Sequence, residues 1–152
     1  MDAVAAPQSK VTAKDIDALY VEAMVLADDA RAYFDTFSRE DRDALGPVLR
    51  VAFSCESLKV TTRLMHIIAW LLGQRSLSSP PSGMNTTPPS KLGGPTETDL
   101  ALVAGLPEGA RTRIEASLDL YARIARLDSE LGNEDQPESP ARALIDQLSR
   151  AF

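Results

Sequence analysis

The chain is poor in the side chains that most catalysis uses: among 152 residues there is one cysteine, one histidine and one tryptophan. A lone Cys55 excludes an internal disulfide and suits a reducing compartment. One His and one Cys do not make a usual zinc site. Cys55 and His66 stand three turns apart on one predicted helix, ~16 Å along its axis, too far for a nucleophile–base pair. The Glu-x-x-His pattern of carboxylate metal sites in helical bundles is missing, since Arg63 precedes His66 by three. Gly93-Gly94 is followed by Pro95 rather than Lys-Ser/Thr, so it does not form a phosphate loop. Aromatics are only 5%, so the core must come from Leu, Ile, Val, Ala and Met. A surplus of positive charge is missing as well: 22 acids against 16 bases give a net charge of -6, which argues against a general nucleic-acid binder. The apolar run 64–72 is far shorter than the ~20 residues of a membrane span and contains His66. The first residues lack a basic stretch followed by an apolar one, so no secretory signal is expected. These absences predict a cytoplasmic, soluble protein that is not an enzyme and needs no cofactor, metal or nucleic acid.

What is present is helical periodicity. Residues 1–11 read as a disordered arm, and Thr12 with Asp15 as a helix start. Apolar residues then recur at Ile16, Leu19, Tyr20, Ala23, Leu26, Ala27, Ala30, Tyr33, Phe34 and Phe37, predicting a helix over about 13–37. Its outer face is acidic, with six acids and two bases from Lys14 to Asp35. Gly46-Pro47 predicts a new helix over about 47–76, proline being at home in a first turn. Five prolines interrupt 77–98, which reads as a flexible linker. A third helix is predicted over about 107–131, with Ala110, Ile114, Ser117, Leu118, Tyr121, Ile124, Ala125, Leu127 and Leu131 on its buried stripe. Residues 133–152 read as a flexible tail containing a short amphipathic helix. The fold expected is all-α: an antiparallel three-helix bundle over 12–132 with a long flexible loop between its second and third helices.

The second helix is apolar on nearly two faces. One stripe is Val48, Val51, Ala52, Cys55, Leu58, Thr62, Met65, Ala69 and Leu72, assigned to the neighbouring helices of the bundle. The other centres on Val60, Leu64, Ile67 and Leu71, assigned to a second copy of the chain. Together they exceed the ~100° of a one-sided amphipathic helix, so a homodimer is expected. The line Lys59, Arg63, His66 and Trp70 follows helical spacing and is either a solvated edge or a docking site for an acidic protein surface, tryptophan being enriched at interface hot spots. The tail face Leu144, Ile145, Leu148 and Phe152 either packs back on the bundle or docks into a groove on a partner.

Several segments in order carry a family resemblance. These are Leu19-Tyr-Val-Glu-Ala-Met24 with Ala30-Arg-Ala-Tyr-Phe34, then the stretch from Glu56 to Leu72, then Leu106-Pro107 leading to Ala122-Arg-Ile-Ala-Arg-Leu127. The sequence there resembles the small bacterial family that includes RcdA, the regulator of CtrA degradation. The resemblance implies a dimeric three-helix bundle with a flexible tail, acting as an adaptor in regulated proteolysis. It implies delivery of cell-cycle regulatory proteins to the ClpXP protease, with a CpdR-like response regulator, a PopA-like protein and the substrates as partners. The alternative from the residues alone is a dimeric helical scaffold with no link to a protease.

Overall fold

The computed structural model describes residues 11–78, 91–134 and 140–151; the expectations for 1–10, 79–90, 135–139 and Phe152 lie outside that set. Helix α1, Ala13–Ala32, opens on a reciprocal cap: the Asp15 backbone N–H donates to Thr12 Oγ1 at 3.2 Å, and the Thr12 N–H donates to Asp15 Oδ2 at 3.0 Å. Two orphan amides of the first turn are satisfied at once. These bonds hold the Asp15 carboxyl below its ordinary range, the Thr12 backbone bond first. The last turn, Tyr33–Phe37, winds as a π-helix. The wider winding slips the apolar stripe, so Phe37 is exposed and Ser38 turns inward, its hydroxyl donating to the Phe34 carbonyl at 2.9 Å.

A short helix α2, Arg39–Asp43, precedes the long α3, Pro47–Ser78, of 32 residues. A single turn α4, Leu100–Val103, leads to α5, Glu108–Glu134, and then α6, Pro140–Ala151. No described residue is in a strand, so the fold is all-α.

Ion pairs report the helix directions. Arg75 of α3 meets Asp17 at 3.1 Å, Arg113 of α5 meets Asp29 at 3.1 Å, and Arg123 meets Glu22 at 2.6 Å. α1 therefore runs against both long neighbours. Arg63 bonds Ser117 and Trp70 bonds Asp128, so α3 and α5 run in the same direction, not the antiparallel one expected. Residues 91–99 account for the difference. They form a strap that returns the chain along the α3–α5 furrow. Leu92 lies by Asp128, the partner of Trp70, and Thr98 lies by Glu56. Extended chain covers ~20 Å between those two strap residues, and α3 rises ~21 Å between Trp70 and Glu56. This part of the linker is therefore packed, where a flexible loop was expected.

The core lies between the three long helices. α1 contributes Ile16, Ala23 and Ala30, α3 contributes Phe53, Val60, Leu64, Ile67 and Leu71, and α5 contributes Ala110, Ile114, Leu120 and Ile124. Alanine at 23, 30 and 110 lets backbones approach closely. At one end Tyr33, Phe34 and Phe53 form a ring cluster with centroids 5.1 to 6.4 Å apart.

Candidate protein interfaces

The second apolar stripe of α3 faces its own chain. Val60, Leu64, Ile67 and Leu71 are all at most 3% exposed, covered by α1 and α5, so they are not open to a second copy as the sequence analysis expected. Of the stripe assigned to the neighbouring helices, Ala52 is buried as expected and the rest is left in solvent. Val48, Val51, Leu58, Met65 and Leu72 are exposed, Leu58 at 68% and Met65 at 64%, and so is Cys55, expected to be a core residue. The physical reason is composition. The covered stripe is unbroken Val, Leu and Ile, whereas Cys55, Thr62 and Ala69 dilute the other, and the bundle buries the face that gains more.

The exposed residues keep a strict alternation of three and four: 48, 51, 55, 58, 62, 65, 69 and 72. A repeat of 3.5 residues over more than three heptads is the spacing that coiled-coil seams use, and on a straight helix it drifts slowly round the surface; the row is called the seam below. A groove of about 360 Å³ adjoins it, walled by Ala27 and Ala30 of α1, Phe34 of the π-helical turn, and Val60, Leu64 and Ile68 of α3. Leu58 and Met65 belong to both groove and seam. Its rim carries the loose, exposed Arg31–Asp35 pair at 4.0 Å. On α1, Val21, Met24 and Val25 are exposed as well.

The line Lys59, Arg63, His66 and Trp70 lies on the strap side of α3, and most of it is covered. Arg63 is 1% exposed and Trp70 3%, so neither forms the surface docking site considered above. Arg63 Nη1 donates to Ser117 Oγ at 3.0 Å, and Nη2 donates to the Thr96 carbonyl at 3.0 Å and to the Thr98 hydroxyl. That hydroxyl donates on to Glu56 Oε2 at 2.9 Å, and Lys59 Nζ donates to Glu56 Oε1 at 3.1 Å. Burial pushes the Arg63 guanidinium below its ordinary range, with Glu56 acting the other way. The Trp70 indole N–H donates to Asp128 Oδ1 at 2.9 Å. Partners 33 to 58 residues away made this arrangement invisible to helical periodicity. The one usable signal was the run of hydroxyls and acids from Thr96 to Asp99, set just beyond a Gly-Gly pair.

On α6, Leu144, Ile145 and Leu148 share an exposed face. No group of three or more potential metal ligands occurs among the described residues. Cys55 and His66 sit three turns apart on α3, as the sequence required. No helix among the described residues is long and apolar enough to cross a membrane. The described residues present three surface features: a seam with its groove, a strapped polar furrow, and a short amphipathic helix.

The family described as "Protein of unknown function (DUF1465)" matches residues 7–152. No curated protein matches. Among solved structures, the crystal structure of RcdA from Caulobacter crescentus CB15 is similar with a TM-score of 0.58 and 29% identity, over 82% of this chain and 93% of that one.

Proposed function

Because the chain belongs to the DUF1465 family, which is the RcdA family, we propose that it is a non-enzymatic adaptor in regulated proteolysis. It works in the cytoplasm and helps deliver cell-cycle regulatory proteins to the ClpXP protease, alongside a CpdR-like response regulator and a PopA-like protein. The observation that carries this is the likeness to RcdA across nearly the whole of that chain. The surfaces suit such work, since an adaptor needs several separate contact faces and no chemistry of its own.

The working form is a homodimer. The second copy covers the seam Val48, Val51, Cys55, Leu58, Thr62, Met65, Ala69 and Leu72, together with the adjoining groove. A single chain leaves that apolar strip in water, and an exposed contiguous apolar patch marks an interaction site. The α6 face of Leu144, Ile145 and Leu148, with Phe152, engages a partner protein as a helix in a groove.

A reconstituted reaction tests the adaptor role. Purified ClpXP, the response regulator and a cell-cycle substrate are combined with and without this protein, and substrate half-life is read. A shortened half-life is expected. An unchanged one, with the protein still dimeric, supports a plain helical scaffold instead.

A further inference from the structure

The groove between α1 and α3 has walls at helical spacing. Its α3 wall is the row Ser57, Thr61, Leu64 and Ile68, spaced four, three and four, and its α1 wall includes Ala27 and Ala30. Small side chains on both walls leave the space between them. The Ser57 hydroxyl donates to the Ser54 carbonyl at 2.8 Å, and the Thr61 hydroxyl donates to the Ser57 carbonyl at 3.1 Å. Both hydroxyls thus have partners in their own helix, and an apolar occupant strands neither. The row from Ser57 to Ile68 is ~16 Å long.

Helix α6 has the matching need. A helix of 12 residues is marginal in water by itself, yet Leu144, Ile145 and Leu148 are 58%, 60% and 55% exposed. With Ala151, also exposed, they fall at i, i+1, i+4 and i+7, which is the spacing of a helix laid in a groove. Gln147 and Ser149 flank that face, each about 100° from its centre. The flanks are therefore polar and uncharged, and they set no like charge against the Arg31–Asp35 pair at the groove's rim. Twelve residues make ~18 Å of helix, close to the length of the α3 wall. Within one chain the α6 face stays in solvent and the groove stays open. Leu58 and Met65 belong to both groove and seam, so whatever covers the seam also meets one edge of the groove.

We propose that the two copies of the dimer exchange their last helices, α6 of each lying in the α1–α3 groove of the other. The Leu144, Ile145 and Leu148 face then rests against the wall of Thr61, Leu64 and Ile68. The exchange rests on the homodimer proposed above and names the part of the second copy that fills the groove. The partner protein assigned to α6 meets that helix when it is withdrawn from the groove.

Sedimentation equilibrium of the full chain tests the exchange. Leu148→Asp puts a charge on the α6 face. Thr61→Trp fills the groove from a position beside the seam and outside it, and Ala27→Trp takes its place should that chain not fold. Each variant alone should raise the dimer dissociation constant at least about tenfold, with the helical circular dichroism unchanged. The decisive sample mixes Leu148→Asp and Thr61→Trp chains carrying different fluorescent labels. A mixed dimer keeps one intact contact, α6 of the Thr61→Trp chain in the groove of the Leu148→Asp chain, and neither pure dimer keeps any. Half of the tenfold loss on a free-energy scale is about threefold, so mixed dimers should be tighter than either pure dimer by at least that factor, beyond the statistical one. An unchanged dissociation constant in Leu148→Asp overturns the proposal. A tighter dimer overturns it as well, since α6 then covers the groove of its own chain. Mixed dimers no tighter than the pure ones do the same. A wild-type chain that stays monomeric refutes the dimer itself, whereas a wild-type dimer that Leu148→Asp leaves unchanged refutes the exchange alone.

Discussion

Tyr33 is the residue on which most contacts at one end of the bundle converge. Its hydroxyl donates to Asp41 Oδ2 at 2.9 Å, and the Arg113 guanidinium stacks 4.3 Å above its ring. Burial first, then the Asp41 bond and charge, push the phenol up to about 12 from 10. A raised folded value means the unfolded chain releases this proton at lower pH. The Tyr33 contribution is thus complete below pH 10 and is lost as pH rises from 10 towards 12. Urea melts across that window should show stability falling more in the native protein than in Tyr33→Phe. Gly109 presses on the same ring: a Cβ there would lie 2.5 Å from Tyr33 Cε1. Gly109→Ala gains up to ~1 kcal/mol of helix propensity, less so near a helix start. It costs ~1–3 kcal/mol by overpacking a ring that Asp41 and Arg113 hold still. Net destabilisation of about 1 kcal/mol is expected in thermal melts. Neither role was legible in the sequence, where Tyr33 was one more apolar position in a stripe.

Helix α3 shows what periodicity conveys and what it omits. The alternation of three and four places the helix and separates its two apolar stripes. It does not say which stripe the bundle takes, because that depends on what α1 and α5 offer in return. Neighbouring residues separate the outcomes. Leu64→Asp buries an unpaired charge and should cost on the order of 5 kcal/mol, unfolding the chain. Met65→Asp lies on the exposed seam and should leave the helical circular dichroism of the monomer intact while abolishing the dimer in sedimentation. A Met65→Asp protein that stays dimeric would remove the seam from the proposed interface. The strap was opaque for a different reason. Its composition reads as a linker, and its order comes from Arg63, Tyr121 and Asp128, none of which is near it in sequence.

The whole molecule separates a covered core from surfaces kept for other chains, and the two respond differently to truncation. α6 leaves Leu144, Ile145 and Leu148 in solvent, so ending the chain after Glu134 should lower the melting temperature by no more than ~2 °C while weakening partner capture. A large drop would mean that the tail helix belongs to the core. The all-α class and the three long helices follow from spacing and from Gly46-Pro47. The shared direction of α3 and α5 does not, since it rests on contacts between distant segments. That shared direction also orders assembly in time. α1 and α3 are joined by a short connection and form a local hairpin. α5 docks only after the chain from Ser78 to Glu108 has doubled back, a closure whose entropy cost grows as about (3/2)RT ln n. α5 and the strap should accordingly be the last part of the bundle to form and the first to exchange as a unit. Short excursions from the native state would thus uncover Arg63 and Trp70 while the α1–α3 pair stays folded.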